Sequence, residues 1–268
     1  MSKALFVASL KANARMILNY AIGSVLYLWL LIWIFPSISS AKGIDEIMKA
    51  MPKGVLKAVG FEKGFNQLSD FLAGEYYGLI FVLLLMVYSI LASTQLVAHL
   101  VDRGSMAYLL STSVSRTKVI LTQASVLIIG LFTIVIATYL GGLAGAEWLI
   151  EKVSLDKVLF LKLNFLGGLV FLVICAYSFF FSCLLNDEKK ALSISTGITV
   201  LFYGLDMIGK LSEKLEWMRN LSIFSLYRPQ EIVDGTYNIW PASIGLLAAS
   251  CILLVIAVML FKRRDLPL

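Results

Sequence analysis

Six stretches of the chain, each about twenty residues long, carry almost no charge, and no other feature narrows the possible folds so far. A helix of that length crosses the roughly 30 Å hydrocarbon core of a bilayer. Inside lipid the backbone must satisfy its own hydrogen bonds, so the runs are helices. They lie at about 16–35, 76–100, 119–146, 163–185, 191–208 and 241–261. The expected fold is all-α: a polytopic membrane protein with six transmembrane helices, forming one domain over 1–268. The charge content agrees, at 15% where a soluble domain carries about 25%. Mean hydropathy is +0.87. A net charge of +6 in a soluble chain would point to nucleic acid. Here the basic residues flank apolar runs, where anionic lipid headgroups account for them.

The segments between the runs differ in length. Residues 3–15 set Leu5, Phe6 and Leu10 against Lys3, Lys11 and Arg15, the pattern of an interfacial helix lying flat before the first span, or else a cytoplasmic extension of that span. No small-residue cleavage signal follows that span, so it reads as a retained anchor. The span is expected to stop at Pro36. The long insert 37–74 holds Ile44, Ile47, Met48 and Met51, then Val55, Leu56 and Val59, all at helical spacing, and so predicts short helices on the outer surface. Gly141, Gly142 and Gly145 near the end of the third run allow close helix approach or a kink. Residues 186–190, NDEKK, form a tight inner turn, and 209–240 form a second sizeable insert.

Six spans put both termini on one side. The 23 basic residues divide almost evenly between the two sides, so a raw count decides nothing. Proximity to span ends does decide, because that is where the charge bias acts. Lys262, Arg263 and Arg264 directly follow the last span. The expected arrangement is both termini in the cytoplasm, in the plasma membrane of a bacterium.

The sequence offers little for catalysis. It has no GxxxxGK[ST] phosphate loop and no HExxH. Its one histidine, His99, stands at a span end. Cys175, Cys183 and Cys251 all lie in apolar runs and read as small hydrophobes. No cofactor or metal is expected on the chain. Carboxylates in the runs are scarce: Glu75 and Asp206 read as span-end residues reaching water, or as the lining of an outer vestibule.

One polar interruption stands out, Val101 to Val119, VDRGSMAYLLSTSVSRTKV. Asp102 can cap a helix start, and Met106, Leu109 and Leu110 then share one helical face. Ser115 can cap the next span, with Arg116 and Lys118 where it meets the membrane. This predicts a small amphipathic helix on the cytoplasmic face that a partner protein can grip through Met106, Leu109 and Leu110. Asp102 and Arg103 would pair across the interface, and Gly104 would permit close backbone approach. In the second insert, Trp217, Phe224, Tyr227 and Tyr237 alternate with Arg219, Arg228 and Glu231. Aromatic rings at the interface with charges facing water would suit an outer vestibule.

With these elements in place the chain resembles the permease subunit of type-2 ABC exporters, the ABC-2 membrane domain. The local match runs Asp102, Arg103, Gly104, Ser105, then Leu109, Leu110, Ser111, Thr112, Ser113, Val114, Ser115, Arg116, with Ser113 where the family usually has proline. A second match is Ser222, Ile223, Phe224, Ser225, Leu226, Tyr227, Arg228, Pro229, and a third is the tail from Phe261 to Leu266. The resemblance implies a coupling helix between spans two and three, reaching to Arg116, and surface or re-entrant helices between spans five and six. It also implies two cytoplasmic ABC ATPase subunits that bind the ATP and magnesium, and a second permease chain, identical or homologous. The substrate, an amphipathic or hydrophobic peptide, drug or lipid, would leave through the seam between permeases. Two rivals are a secondary transporter, which calls for a mid-span charge or a broken span in both halves, and a non-transport sensor or assembly partner.

Overall fold

In the computed structural model, residues 3–40, 50–59, 67–111, 114–150 and 155–264 are described. Helix α1 is Lys3–Ser39, followed by the short α2, Lys53–Val59. Helix α3 runs Leu68–Asp102 and the six-residue α4 is Ser105–Leu110. Then come α5 (Arg116–Leu149), α6 (Lys157–Leu184) and α7 (Glu188–Leu211). Two 3-10 segments, Glu213–Leu221 and Ile223–Leu226, lead to the short α8 (Pro229–Val233) and to α9 (Ile239–Arg263). Among the described residues, α1, α3, α5, α6, α7 and α9 are long and apolar enough to cross a membrane. The protein is all-α with six such helices.

Four of the span starts, those of α5, α6, α7 and α9, carry a side chain that caps the first turn. Ser115 accepts from the Lys118 N–H at 3.4 Å, as its position suggests. The Asp156 carboxylate accepts from Val158 and Leu159, at 2.8 and 3.0 Å. Asp187 accepts from Lys190 at 2.8 Å, and Asn238 from Trp240 at 3.2 Å. Each cap satisfies donors the first turn cannot bond itself, worth about 1 kcal/mol.

The helix bounds differ from the sequence expectation in several places. Residues 3–15 do not form a separate flat helix but are the first turns of α1, which is continuous through Arg15. Nothing in that segment breaks a helix, since its only Gly or Pro neighbours lie far downstream. At about 1.5 Å per residue, the 37 residues of α1 extend about 55 Å, well beyond a bilayer core. Nor does the helix stop at Pro36: it runs to Ser39, and Ser40 bonds back to the Pro36 carbonyl through both N–H and Oγ. Helix α3 begins eight residues before Tyr76 and includes a π-helical stretch, Leu72–Ile80. In the first insert, Val55 and Leu56 fall in α2, while Ile44, Ile47 and Met48 lie outside the described residues.

Helix α6 is the hub. It packs against α3, α5, α7 and α9, and 72% of its most apolar window is buried. For α7 and α9 the figure is 22%, so these two present most of their surface to lipid or to another chain. Helix α1 lies along α5 and turns Leu18, Ile22, Leu26, Leu30 and Trp33 outward. Its inner face needs small residues opposite. A Cβ on Gly142 would sit 2.9 Å from Leu28 Cδ2, besides meeting Phe160 of α6, and one on Gly145 would sit 2.7 Å from Trp29 Cδ1. That close approach lets the Trp29 indole donate to the Gly141 carbonyl at 2.7 Å.

Several buried hydroxyls are satisfied within their own helix, while those of Ser178, Ser182, Ser195, Tyr203 and Tyr227 find no partner among the described residues. Thr122, Thr138, Ser243 and Ser250 each donate to the carbonyl four residues back, at 2.7–2.9 Å. Between helices, Ser24 Oγ meets Tyr76 OH at 2.5 Å and also bonds Thr138, tying α1, α3 and α5. The Asn164 amide donates to Tyr77 OH at 2.8 Å, tying α6 to α3. In an apolar solvent such contacts, with close packing, hold helices together.

Candidate functional site

At the end of the bundle that carries α4, helix α3 kinks at Val97 (φ −133°, ψ −66°). The kink swings the last turn, with His99 and Asp102, toward the start of α7. His99 Nδ1 lies 2.8 Å from Glu188 Oε2. The Glu188 N–H donates to Asp102 Oδ2 at 3.4 Å. Asp102 therefore serves the N-terminus of α7 rather than the start of α4, where no side-chain cap bond forms. Gly104 stands between, at φ +69°, a left-handed conformation that costs another residue about 1–2 kcal/mol.

The face that α4 presents is not the one its apolar spacing suggests. Met106 is fully buried against the chain's own bundle. Leu109 and Leu110 are half-buried on the same core. The residue left outside is Tyr108, 80% exposed, with Arg103 also exposed. The bundle takes Met106 from the apolar stripe and leaves Leu109 and Leu110 partly exposed. Arg116 also turns inward: its guanidinium donates to the Arg264 carbonyl at 2.7 Å, at the C-terminal end of α9. Arg264 donates in turn to the Cys183 carbonyl at 2.6 Å, so the end of α9 is held against α6. Residues Thr112 and Ser113 and the tail beyond Arg264 lie outside the described residues.

At the opposite end, the segment between α7 and α9 folds onto the bundle. Asp206 does not reach water. Its carboxylate is buried, 2.6 Å from Lys210 Nζ and 3.3 Å from Arg219 Nε. The 3-10 segment delivers Arg219 because Gly209 lies under it; a Cβ there would meet Arg219 Cγ at 2.4 Å. Phe224 and Tyr227, read as interface rings, are core residues, 3% and 4% exposed. Phe224 stacks edge-on to Phe171 and Tyr203. Burial pushes the Tyr227 phenol well above its usual pKa, so it stays protonated. Arg228 forms an ion pair with Glu231 at 3.2 Å, donates to the Ser225 carbonyl, and lies over the Tyr237 ring. Tyr227, Arg228 and Glu231 border a cavity of about 80 Å³, together with Lys57, Lys210 and Arg219. Trp217 is exposed on the 3-10 segment, and neither it nor Phe224 reaches that cavity.

Three features escaped the sequence reading. The Asp206–Lys210 spacing of four was a legible pair signal. Tyr108, off the apolar stripe, was legible as the outward residue. The meeting of His99 with Glu188, 89 positions away, had no local signal.

A bundle of six apolar helices with polar connections at both ends defines a multi-pass membrane protein. The chain belongs to the ABC-2 family of transporter proteins, whose family model (ABC-2 family transporter protein) matches residues 25–266, nearly its whole length. It is a membrane permease of that superfamily, and members are non-catalytic transport subunits that pair with ATP- and magnesium-binding ATPase subunits and with a second permease chain. No curated protein matches the chain. Among the described residues, no three His, Cys, Asp or Glu side chains are grouped to hold a metal ion.

Proposed function

We propose that this chain is the membrane half of an ATP-driven exporter. In this reading α4 is the contact through which two cytoplasmic ABC ATPase subunits, which bind ATP and magnesium, drive the spans. Both termini and α4 lie in the cytoplasm of a bacterial cell, and a second permease chain, identical or homologous, completes the pathway. The substrate is an amphipathic or hydrophobic peptide, drug or lipid that crosses at the seam between permeases. The segment bearing Tyr227, Arg228 and Glu231, with Trp217 and Phe224 on its flanks, shapes the outer exit. One domain spans 1–268, and residues 3–15 lie at the membrane surface as the first turns of α1.

The observation that carries the reading is the linkage at α4. Tyr108 stands 80% exposed on a helix too short to move alone. Through the α3 end, His99 and Asp102 tie that helix to Glu188 at the start of α7. A push on Tyr108 is thus delivered to two membrane helices at once. Leu109, Leu110 and Arg103 flank the contact, Gly104 sets its turn, and Met106 and Arg116 brace it from inside.

The test is paired: ATPase recovered per permease on co-purification, and substrate moved per ATP in reconstituted vesicles. Tyr108→Ala with Arg103→Ala is expected to lower one ratio at least fivefold, with normal insertion of the permease. Both ratios at wild-type values would sink the assignment.

A further inference from the structure

At the α4 end of the bundle there is a second, larger space, of about 520 Å³, between the first turns of α1 and the ends of α3 and α5. Its walls include Leu5, Asn13, Gln95, His99, Leu109 and Gln123. We propose that this cavity binds the uncharged polar head of an amphiphile, one that offers a hydrogen-bond donor and carries an aliphatic chain.

Three observations converge on that chemistry. First, Gln123 is 2% exposed, lines the cavity, and its amide oxygen has no hydrogen-bond partner. A buried amide oxygen left unbonded costs about 1–3 kcal/mol, a cost relieved when the side chain turns its oxygen to a donor in the cavity. Second, the other polar groups are also neutral acceptors or amides. Asn13 spends its N–H₂ on the Ser9 carbonyl at 2.8 Å, which leaves its carbonyl oxygen. His99 Nδ1 is engaged by Glu188, which leaves the other ring nitrogen. The lining holds no Asp, Glu, Lys or Arg, and the neighbouring Glu188 carboxylate is taken up by His99, so a charged head would enter without a free counter-ion. Third, apart from Ser9 and Gln95 the rest of the wall is leucine and alanine, which suits methylenes. The volume falls in the ordinary range for small-ligand sites.

The cavity lies apart from the Tyr108 contact, on the other side of α4. Leu109 belongs to both α4 and the cavity wall, so an occupant would set how α4 sits on the bundle.

The test uses the full chain in phosphatidylcholine vesicles with a monoacylglycerol carrying a photoactivatable diazirine in its acyl chain. Two comparison probes share that chain but bear a phosphoglycerol or a trimethylammonium head. The monoacylglycerol is expected to label peptides from 5–13 and 95–109 at least tenfold more than either charged probe. Gln123→Leu, which keeps shape and removes the acceptor, is expected to lower that labelling about tenfold. Ala12→Phe, from an exposed cavity-lining position that leaves the core untouched, is expected to block it. Competition by unlabelled diacylglycerol in the bilayer would assign the ligand to the membrane. Competition by short-chain monohexanoylglycerol in the aqueous phase would assign it to the cytosol, and either result supports the site. Equal labelling by the charged probes, or undiminished labelling of Ala12→Phe, would overturn it whatever Gln123→Leu does.

Discussion

Replacing Asp206 by alanine should destabilise the protein more than any other single loss of charge among the described residues. The carboxylate is 2% exposed and meets Lys210 Nζ at 2.6 Å and Arg219 Nε at 3.3 Å. Those two cations are themselves largely covered, at 20% and 11% exposure. Removing the carboxylate leaves both without their common partner next to an apolar helix, while Glu216 reaches Arg219 only at 3.8 Å. Breaking a buried pair in this way costs about 3–5 kcal/mol. For a chain of this size that is roughly a 10 °C fall in unfolding midpoint. The assay is thermal unfolding of the purified chain in detergent, followed by tryptophan fluorescence. Trp217, exposed on the 3-10 segment that carries Arg219, reports the local event. The logic has a second arm. Asp206→Leu with Lys210→Met and Arg219→Met removes every charge of the cluster and keeps its bulk. Exchanging a buried ionic group for apolar side chains is often neutral or stabilising, so this triple variant should recover most of the loss. A midpoint for Asp206→Ala within about 1 °C of wild type would refute the argument. So would a triple variant no more stable than the single one.

Gly142→Val places branched carbons where Phe160 Cζ already lies 2.4 Å from a Cβ position; it should cost about 1–3 kcal/mol and lower the same unfolding midpoint. In a double-mutant cycle, His99→Phe and Glu188→Gln should show a coupling of about 0.5–1 kcal/mol, and strict additivity would remove the link between α3 and α7. Cysteines at the exposed positions Thr236 and Lys189 test the sidedness: an impermeant thiol reagent outside the cell should label the first and spare the second, and the reverse would invert the topology.

The sequence by itself determined the architecture class. Uncharged runs of bilayer length can be satisfied only as helices, and six were visible with their polar connections. The cap at Ser115 was legible, because capping depends on residues within one turn. So were the small residues at Gly141, Gly142 and Gly145 and the short helix between the second and third spans.

Tertiary structure alone decided which faces point inward. In water an amphipathic stripe marks the core side of a helix. In lipid both the bundle and the solvent are apolar, so a run such as Phe81–Leu96 has no face that its sequence marks as inner. Apolar spacing named Met106 as a grip, but packing took it inside and left Tyr108 out. Asp206 read as a span-end residue reaching water until the segment after α7 folded back and placed Arg219 over it. His99 joins Glu188, and Gln123 shares a cavity with Asn13, only because α1, α3, α5 and α7 converge at one end of the bundle. These contacts depend on side-chain fit between helices far apart in the chain, and no local pattern of residues encodes them.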